Sequence, residues 1–138
     1  MPEADAGRTI TVLCIDDDAA LGVLLRRNLG RLGLTVVSVS DGRAALARLG
    51  GGDIDAIALD HFLTGEIGLD ILPDILALAD HPPVVYVTGV GETSVVAEAL
   101  RRGAVNWVTK TISSDFFVRL AEALTEAARR HPRTTEGR

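Results

Sequence analysis

One cysteine, Cys14, stands among 138 residues, so the chain can form no internal disulfide and suits a reducing compartment. Its place inside an apolar, strand-like run marks it as a small core residue. No stretch approaches the ~20 consecutive apolar residues of a bilayer-spanning helix. The opening Met1-Pro2-Glu3-Ala4-Asp5 is acidic, unlike a secretory signal. A cytoplasmic location is therefore expected, with no membrane partner. Basic charge is also scarce: the formal net charge of −5 repels phosphate backbones and argues against a nucleic-acid surface. What remains, 47% hydrophobic and 24% charged, is the composition of a globular chain, and 138 residues supply one well-buried core rather than two.

Residues 1 to 8 and 131 to 138 read as a disordered lead-in and tail around one domain, 9 to 130. Thr9 to Ile15 is a buried strand that ends abruptly at Asp16-Asp17-Asp18. From Ala19 to Leu32, leucines at 21, 24, 25, 29 and 32 recur at helical spacing. A second strand is expected over Leu34 to Val39, and Asp41 then caps a helix from Arg43 to Leu49. Gly50-Gly51-Gly52 stops that helix and precedes a strand, so it lacks the placement of a dinucleotide-binding loop. The third strand is Ile54 to Leu59. A helix follows from about Leu69 to Ala79, where Pro73 is tolerable only within the first turn. Val84 to Val87 is the fourth strand, and a helix carrying Val95, Val96, Ala99 and Leu100 runs to Gly103. Ala104 to Thr109 is the fifth. The last helix, Asp115 to Arg130, places Phe117, Leu120, Ala121, Leu124 and Ala128 on one face. Strands alternating with helices through short loops predict an α/β fold, a parallel sheet covered on both sides.

Ligands of such a sheet bind beyond the carboxyl ends of its strands. Asp16 and Asp17 follow strand one, Asp60 strand three, Thr88 strand four and Lys110 strand five. Asp60 alone reads as a turn residue. Chance turn residues account poorly for four strands each leaving an acid, hydroxyl or amine at one rim. Carboxylates held that close repel one another and call for cations. Hard oxygen donors and a solvated site favour Mg²⁺, which keeps several waters, over zinc, which wants His or Cys. His61 is expected to be a plain loop side chain, since no second His or Cys lies at ligand spacing. Carboxylate, Mg²⁺, ammonium and hydroxyl together can drive an aspartate onto phosphorus and hold the acyl phosphate.

Four motifs, in order and each at a strand end, carry a resemblance: Ile15-Asp16-Asp17-Asp18, Leu59-Asp60 with Gly68 eight residues on, Val87-Thr88-Gly89, and Gly103-Ala104-Val105-Asn106-Trp107-Val108-Thr109-Lys110. Across residues 9 to 130 the chain resembles the receiver domain of two-component response regulators. The resemblance implies a doubly wound, flavodoxin-like sheet of five parallel strands, order 2-1-3-4-5, with five helices. It implies Asp60 as phosphoacceptor, Asp17, Asp60 and the Phe62 backbone carbonyl as direct Mg²⁺ ligands, and Asp16 as a ligand through water. Lys110 would pair with the phosphoryl group, and Thr88 would swing toward its oxygens while Trp107 rotates inward behind it. The partners implied are a histidine kinase or histidine phosphotransfer protein, and a downstream effector or attached domain. A homodimer would form through helix 4, strand 5 and helix 5.

Thr64 and Thr111 stand where the family usually has proline, and Phe62 and Val90 are apolar where polar residues would orient water, which implies a long-lived acyl phosphate. Among alternatives, an aspartyl-phosphate phosphatase wants a second aspartate where Phe62 stands. A flavin module wants a phosphate cradle where three acids stand. A docking module that works without phosphorylation, and an N-terminal receiver of a larger kinase or effector, remain. No catalytic segment beyond the domain's own phosphoryl chemistry is expected within these residues.

Overall fold

The computed structural model describes residues 9 to 111 and 113 to 132. The expected lead-in, 1 to 8, and residues 133 to 138 of the expected tail lie outside the described residues. In chain order the strands are Ile10–Ile15 (β1), Leu34–Val39 (β2), Ala56–Asp60 (β3), Phe62–Leu63 (β4), Glu66–Ile67 (β5), Val84–Thr88 (β6) and Asn106–Thr109 (β7). The helices are Ala19–Arg31 (α1), Gly42–Leu49 (α2), Gly68–Leu76 (α3), Thr93–Arg102 (α4) and Asp115–Arg130 (α5). Five strands form one parallel sheet in the order β2-β1-β3-β6-β7, the arrangement expected. The unexpected element is the two-residue antiparallel hairpin β4-β5, which folds the loop after Asp60 back on itself through Gly65 at φ 78°.

Alternation along the strands divides the core into two layers. Val12, Cys14, Ala56, Ala58, Val85 and Val87 join Leu25 and Leu29 of α1 and Phe116, Leu120 and Leu124 of α5. Leu13, Ile15, Ile57, Leu59, Val84 and Tyr86 face Ala45 of α2, Ile71, Leu72 and Ile75 of α3, and Ala99 of α4. Cys14 is a core residue as expected, and burial, with help from the Asp16 charge, pushes its thiol up to about 12. Among the described residues, no helix is long and apolar enough to cross a membrane.

Two packing expectations are corrected. In α5 it is Phe116 that is buried, at 2% exposure, while Phe117 is only partly covered. Pro73 lies in the second turn of α3 rather than the first. Its missing N–H leaves the Leu69 carbonyl without a helical donor, and Arg102 Nη1 from the end of α4 donates to that oxygen at 2.8 Å. A side chain from another helix thus satisfies the oxygen that the proline abandons.

The helix α3 begins at Gly68, whose N–H donates to the His61 carbonyl at 2.7 Å. A Cβ there would lie 2.5 Å from the Asp60 carbonyl oxygen and 2.7 Å from the Tyr86 hydroxyl. The first clash is with backbone, so it cannot be relieved by a rotamer change. Gly68→Ala should therefore cost roughly 1–3 kcal/mol, the range for overpacking a filled site. The midpoint of urea unfolding measures the loss, and an unchanged midpoint would show that the loop shifts freely.

Candidate functional site

The three acids after β1 do different work. Asp16 extends the sheet by one more bond, its N–H donating to the Val39 carbonyl at 3.0 Å. Its Oδ1 accepts from the Asp18 N–H at 2.9 Å and its Oδ2 from Lys110 Nζ at 3.1 Å. Asp18 caps α1, its Oδ1 accepting from the Leu21 N–H at 3.1 Å. Asp17 points to the hairpin loop, where the Thr64 hydroxyl donates to its Oδ2. Thr64, in the position where proline was the family expectation, thus contributes a polar contact to the acidic cluster.

Asp60 ends β3, at the switch point between β1 and β3 where the chain reverses its direction of winding. Its Oδ1 lies 2.9 Å from Lys110 Nζ, so one ammonium joins carboxylates from two strand ends. Lys110 is placed by its own N–H, which donates to the Thr88 carbonyl at 2.7 Å. Arg119 of α5 braces the same loop, donating from Nη2 to the Thr109 carbonyl and to Thr111 Oγ1, both at 3.3 Å. Thr111 therefore gives the loop a side-chain tether where proline would give stiffness.

Burial raises the Asp60 carboxyl to about 6, against the Lys110 bond that lowers it and with the charges of Asp16 and Asp17 raising it further. Burial lowers the Lys110 ammonium, but its bond to Asp60 and the charges of Asp60 and Asp16 outweigh that and leave it above its ordinary value. Thr88 is 1% exposed, and its Oγ1 has no hydrogen-bond partner. A buried hydroxyl without a partner costs about 1–3 kcal/mol, which suits a group that acquires its partner only on ligand binding.

Two carboxylates thus share one ammonium, with the third acid, Asp17, beside them, and the excess negative charge suits a hard cation. Among the described residues, no three His, Cys, Asp or Glu side chains are gathered as a ready-made metal cluster. Mg²⁺ does not need one, because one or two carboxylates with waters suffice. The donor chemistry fits.

Asp16, Asp60, Thr88 and Lys110 are brought together as expected, with Asp17 beside them. Trp107 is not in contact with this group: it lies on the edge strand β7, 42% exposed, as the register partner of Tyr86. Phe62 and Val90 are exposed at 61% and 76%. His61 departs from expectation. It is buried at 6% exposure, and its Nδ1 lies 2.7 Å from the Tyr86 hydroxyl. Sequence spacing could not reveal that pair, because His61 stands in the loop after β3 and Tyr86 on β6, 25 residues on. Its one signal was an imidazole directly after an apolar strand. A second unforeseen contact joins Glu66 Oε2 of the hairpin to the Gly42 N–H at the start of α2, at 3.0 Å.

The sequence model of a family described as the response regulator receiver domain matches residues 12–122. The transcriptional regulatory protein TcrA of Mycobacterium tuberculosis is 34% identical over 112 residues, 80% of this chain and 44% of its own length. The receiver domain of NtrX from Brucella abortus superposes with a TM-score of 0.73 at 28% identity, covering 83% of this chain and 98% of that one. The receiver domain of a Francisella response regulator has a TM-score of 0.77 at 22% identity, over 88% of this chain and 98% of that one, a likeness of fold. The chain spans about half or less of the length of the first curated relatives it matches.

The raised Asp60 carboxyl makes a pH prediction for metal-free buffer. An acid whose folded pKa lies above its unfolded value favours the fold most below the unfolded value, about 3.8, and loses that contribution as pH rises through about 6. Asp60→Asn removes this loss. The variant should gain stability over wild type between pH 4 and pH 7 by roughly 1–3 kcal/mol. Urea unfolding at the two pH values measures it. A difference independent of pH would show that the Asp60 carboxyl is not raised.

Proposed function

The chain belongs to the response regulator receiver domains of two-component systems, and on that premise we propose that it takes a phosphoryl group on Asp60. The donor would be the phosphohistidine of a kinase or histidine phosphotransfer protein, since receiver domains of this family interact with kinases and effector domains. One observation supports the assignment above the others: Lys110 holds Asp60 and Asp16 at 2.9 and 3.1 Å, at the rim where the sheet reverses. In the transfer an Asp60 oxygen forms a bond to phosphorus while the phosphorus–nitrogen bond breaks, and the departing imidazole keeps the electron pair of that bond and takes a proton from solvent water. Lys110 would follow the charge onto the phosphoryl oxygens. The Thr88 hydroxyl would donate to one of them and gain the partner it lacks.

Receiver domains of this family are generally Mg²⁺-dependent. The metal, when bound, would neutralise charge on the phosphoryl oxygens. Asp17, Asp60 and the Phe62 carbonyl would hold it directly and Asp16 through water. Asp17 would then exchange its Thr64 bond for the cation.

Output would follow as a shift in the equilibrium of the face made by β6, β7, α4 and α5, with Thr88 and Trp107 as its moving parts. The reader of that face would be an effector protein, an attached domain or a second copy, in the cytoplasm. With a net charge of −5, the domain itself is a poor surface for nucleic acid.

Incubation with Mg²⁺ and acetyl phosphate should add one phosphoryl mass to the intact protein. Asp60→Asn, or removal of Mg²⁺ with EDTA, should abolish the adduct. An adduct that persists in Asp60→Asn would place the chemistry elsewhere, and no adduct on Mg²⁺-loaded wild type would favour a docking module. Phe62 and Val90 offer an attacking water no polar side chain, so the wild-type adduct should be long-lived, and Phe62→Glu should shorten its lifetime several-fold. Rapid phosphate release from wild type, followed by mass spectrometry, would sink this reading.

A further inference from the structure

His61 and Tyr86 form a buried polar pair that phosphoryl transfer, as described above, does not use. The imidazole is 6% exposed, and the Tyr86 side chain is fully covered within the core layer of α3 and α4. Their 2.7 Å bond is accompanied by an edge-on ring contact with centroids 5.8 Å apart. An apolar pair of similar shape would fill this space at little cost. What an apolar pair cannot supply is a fixed direction and distance between two strand ends.

Those strand ends carry the site. His61 stands between Asp60 and Phe62, and Tyr86 stands two residues before Thr88 on the neighbouring strand, where Leu59 is its register partner. Around His61 the backbone is also held: its N–H donates to the Val87 carbonyl at 3.0 Å, and its carbonyl accepts from the Gly68 N–H at 2.7 Å. The imidazole bond is thus the side-chain member of three anchors on one residue, two of which reach β6. The clearance at Gly68, with the Asp60 oxygen and the Tyr86 hydroxyl both too near for a Cβ, shows how tightly the loop is drawn down.

From this geometry we infer that His61 and Tyr86 are a positioning pair, clamping the acceptor loop to β6 so that Asp60 and the Phe62 carbonyl hold one orientation relative to Thr88. The inference rests on the receiver reading for its chemistry, but the clamp itself exists without phosphorylation. It assigns the position after the acceptor aspartate, filled here by a buried imidazole, a role in the rate of the reaction.

The test uses Tyr86→Phe, which deletes one oxygen and keeps the ring, alongside His61→Leu, His61→Gln and the double variant His61→Leu/Tyr86→Phe. Two quantities are read on the full chain: residue-resolved amide exchange, and the initial rate of adduct formation with Mg²⁺ and acetyl phosphate. Tyr86→Phe should accelerate exchange at His61 and Gly68 roughly three- to tenfold, the worth of one net hydrogen bond, and slow phosphorylation by a similar factor. Exchange at Val12 to Ile15 of β1 should stay as in wild type. The double variant should be no slower than the worse single one, and His61→Gln, which keeps a hydrogen-bonding group, should recover most of the rate. General loss of packing would instead raise exchange in β1 as well. The proposal is overturned if Tyr86→Phe stays within twofold of wild type in loop exchange, or if exchange rises while the phosphorylation rate does not fall. Faster loop exchange in Tyr86→Phe, with no adduct on wild type, would support the clamp and sink the acceptor chemistry instead.

Discussion

The rim of the sheet depends on one ammonium. Lys110 reaches back across the strand ends to hold Asp16 and Asp60, which lie 94 and 50 residues earlier in the chain and would repel each other without it. Its position is set by backbone, through the bond to the Thr88 carbonyl, and by Arg119, which ties the flanking loop to α5. The ion pair does not relax the site completely, since Asp60 remains raised to about 6 with burial as the main cause. A partly covered pair of this kind is weak evidence for stability, because desolvation offsets much of the attraction. Its meaning lies in placement: it brings three strands' worth of chemistry to one point and leaves the charge there unbalanced.

That placement follows from topology more than from local sequence. The chain leaves β1, forms β2 on one side and returns across β1 to form β3, and the two strands that carry Asp16 and Asp60 become neighbours at the reversal. The hairpin β4-β5 then folds over the Asp60 end, and its Glu66 carboxylate accepts from the Gly42 N–H. The loop after Asp60, tied to α2 by Glu66 and to β6 by His61, is held at both sides. Thr64, between those ties, reaches Asp17.

Legibility in the sequence tracked how local each cause is. The α5 limits, Asp115 and Arg130, were readable because sixteen residues of apolar period leave little freedom. That Asp16, Asp60, Thr88 and Lys110 gather at one rim was readable because each stands at the end of a strand-like run. Phe116 and Phe117 show the limit of periodicity: adjacent aromatics differ by 100° around a helix, and only the packing against β-strand residues selects the first. The start of β3 was read two residues early, since Asp55 is buried and joins β1 with its side chain, its Oδ2 accepting from the Thr11 N–H at 2.8 Å, a pairing across 44 residues. Pro73 was judged by rules internal to one helix, whereas Arg102, 33 residues away from Leu69, satisfies the abandoned carbonyl. His61 was judged a loop residue rather than a metal ligand, and the partner that decides between burial and exposure is Tyr86 on β6.

The same contrast separates what the rim holds rigid from what it leaves unmet. Beside Asp60 the His61 backbone is bonded through both its N–H and its carbonyl, and its imidazole has a partner. Across from it the Thr88 hydroxyl is buried with none, and the acids outnumber the cations. Each unmet demand destabilises the resting fold, and an anion carrying hydrogen-bond acceptors, together with a divalent cation, would satisfy both. If the proposed chemistry holds, the free energy released by meeting them is available to bias the β6-β7 face, because Thr88 is the last residue of β6 and its carbonyl anchors Lys110 at the end of β7. A loosely held acceptor would dissipate that bias in its own motion. Under the proposed chemistry, rigidity at Asp60 and unsatisfied bonding at Thr88 would be two requirements of one switch, the first met at the end of β3 and the second at the end of β6.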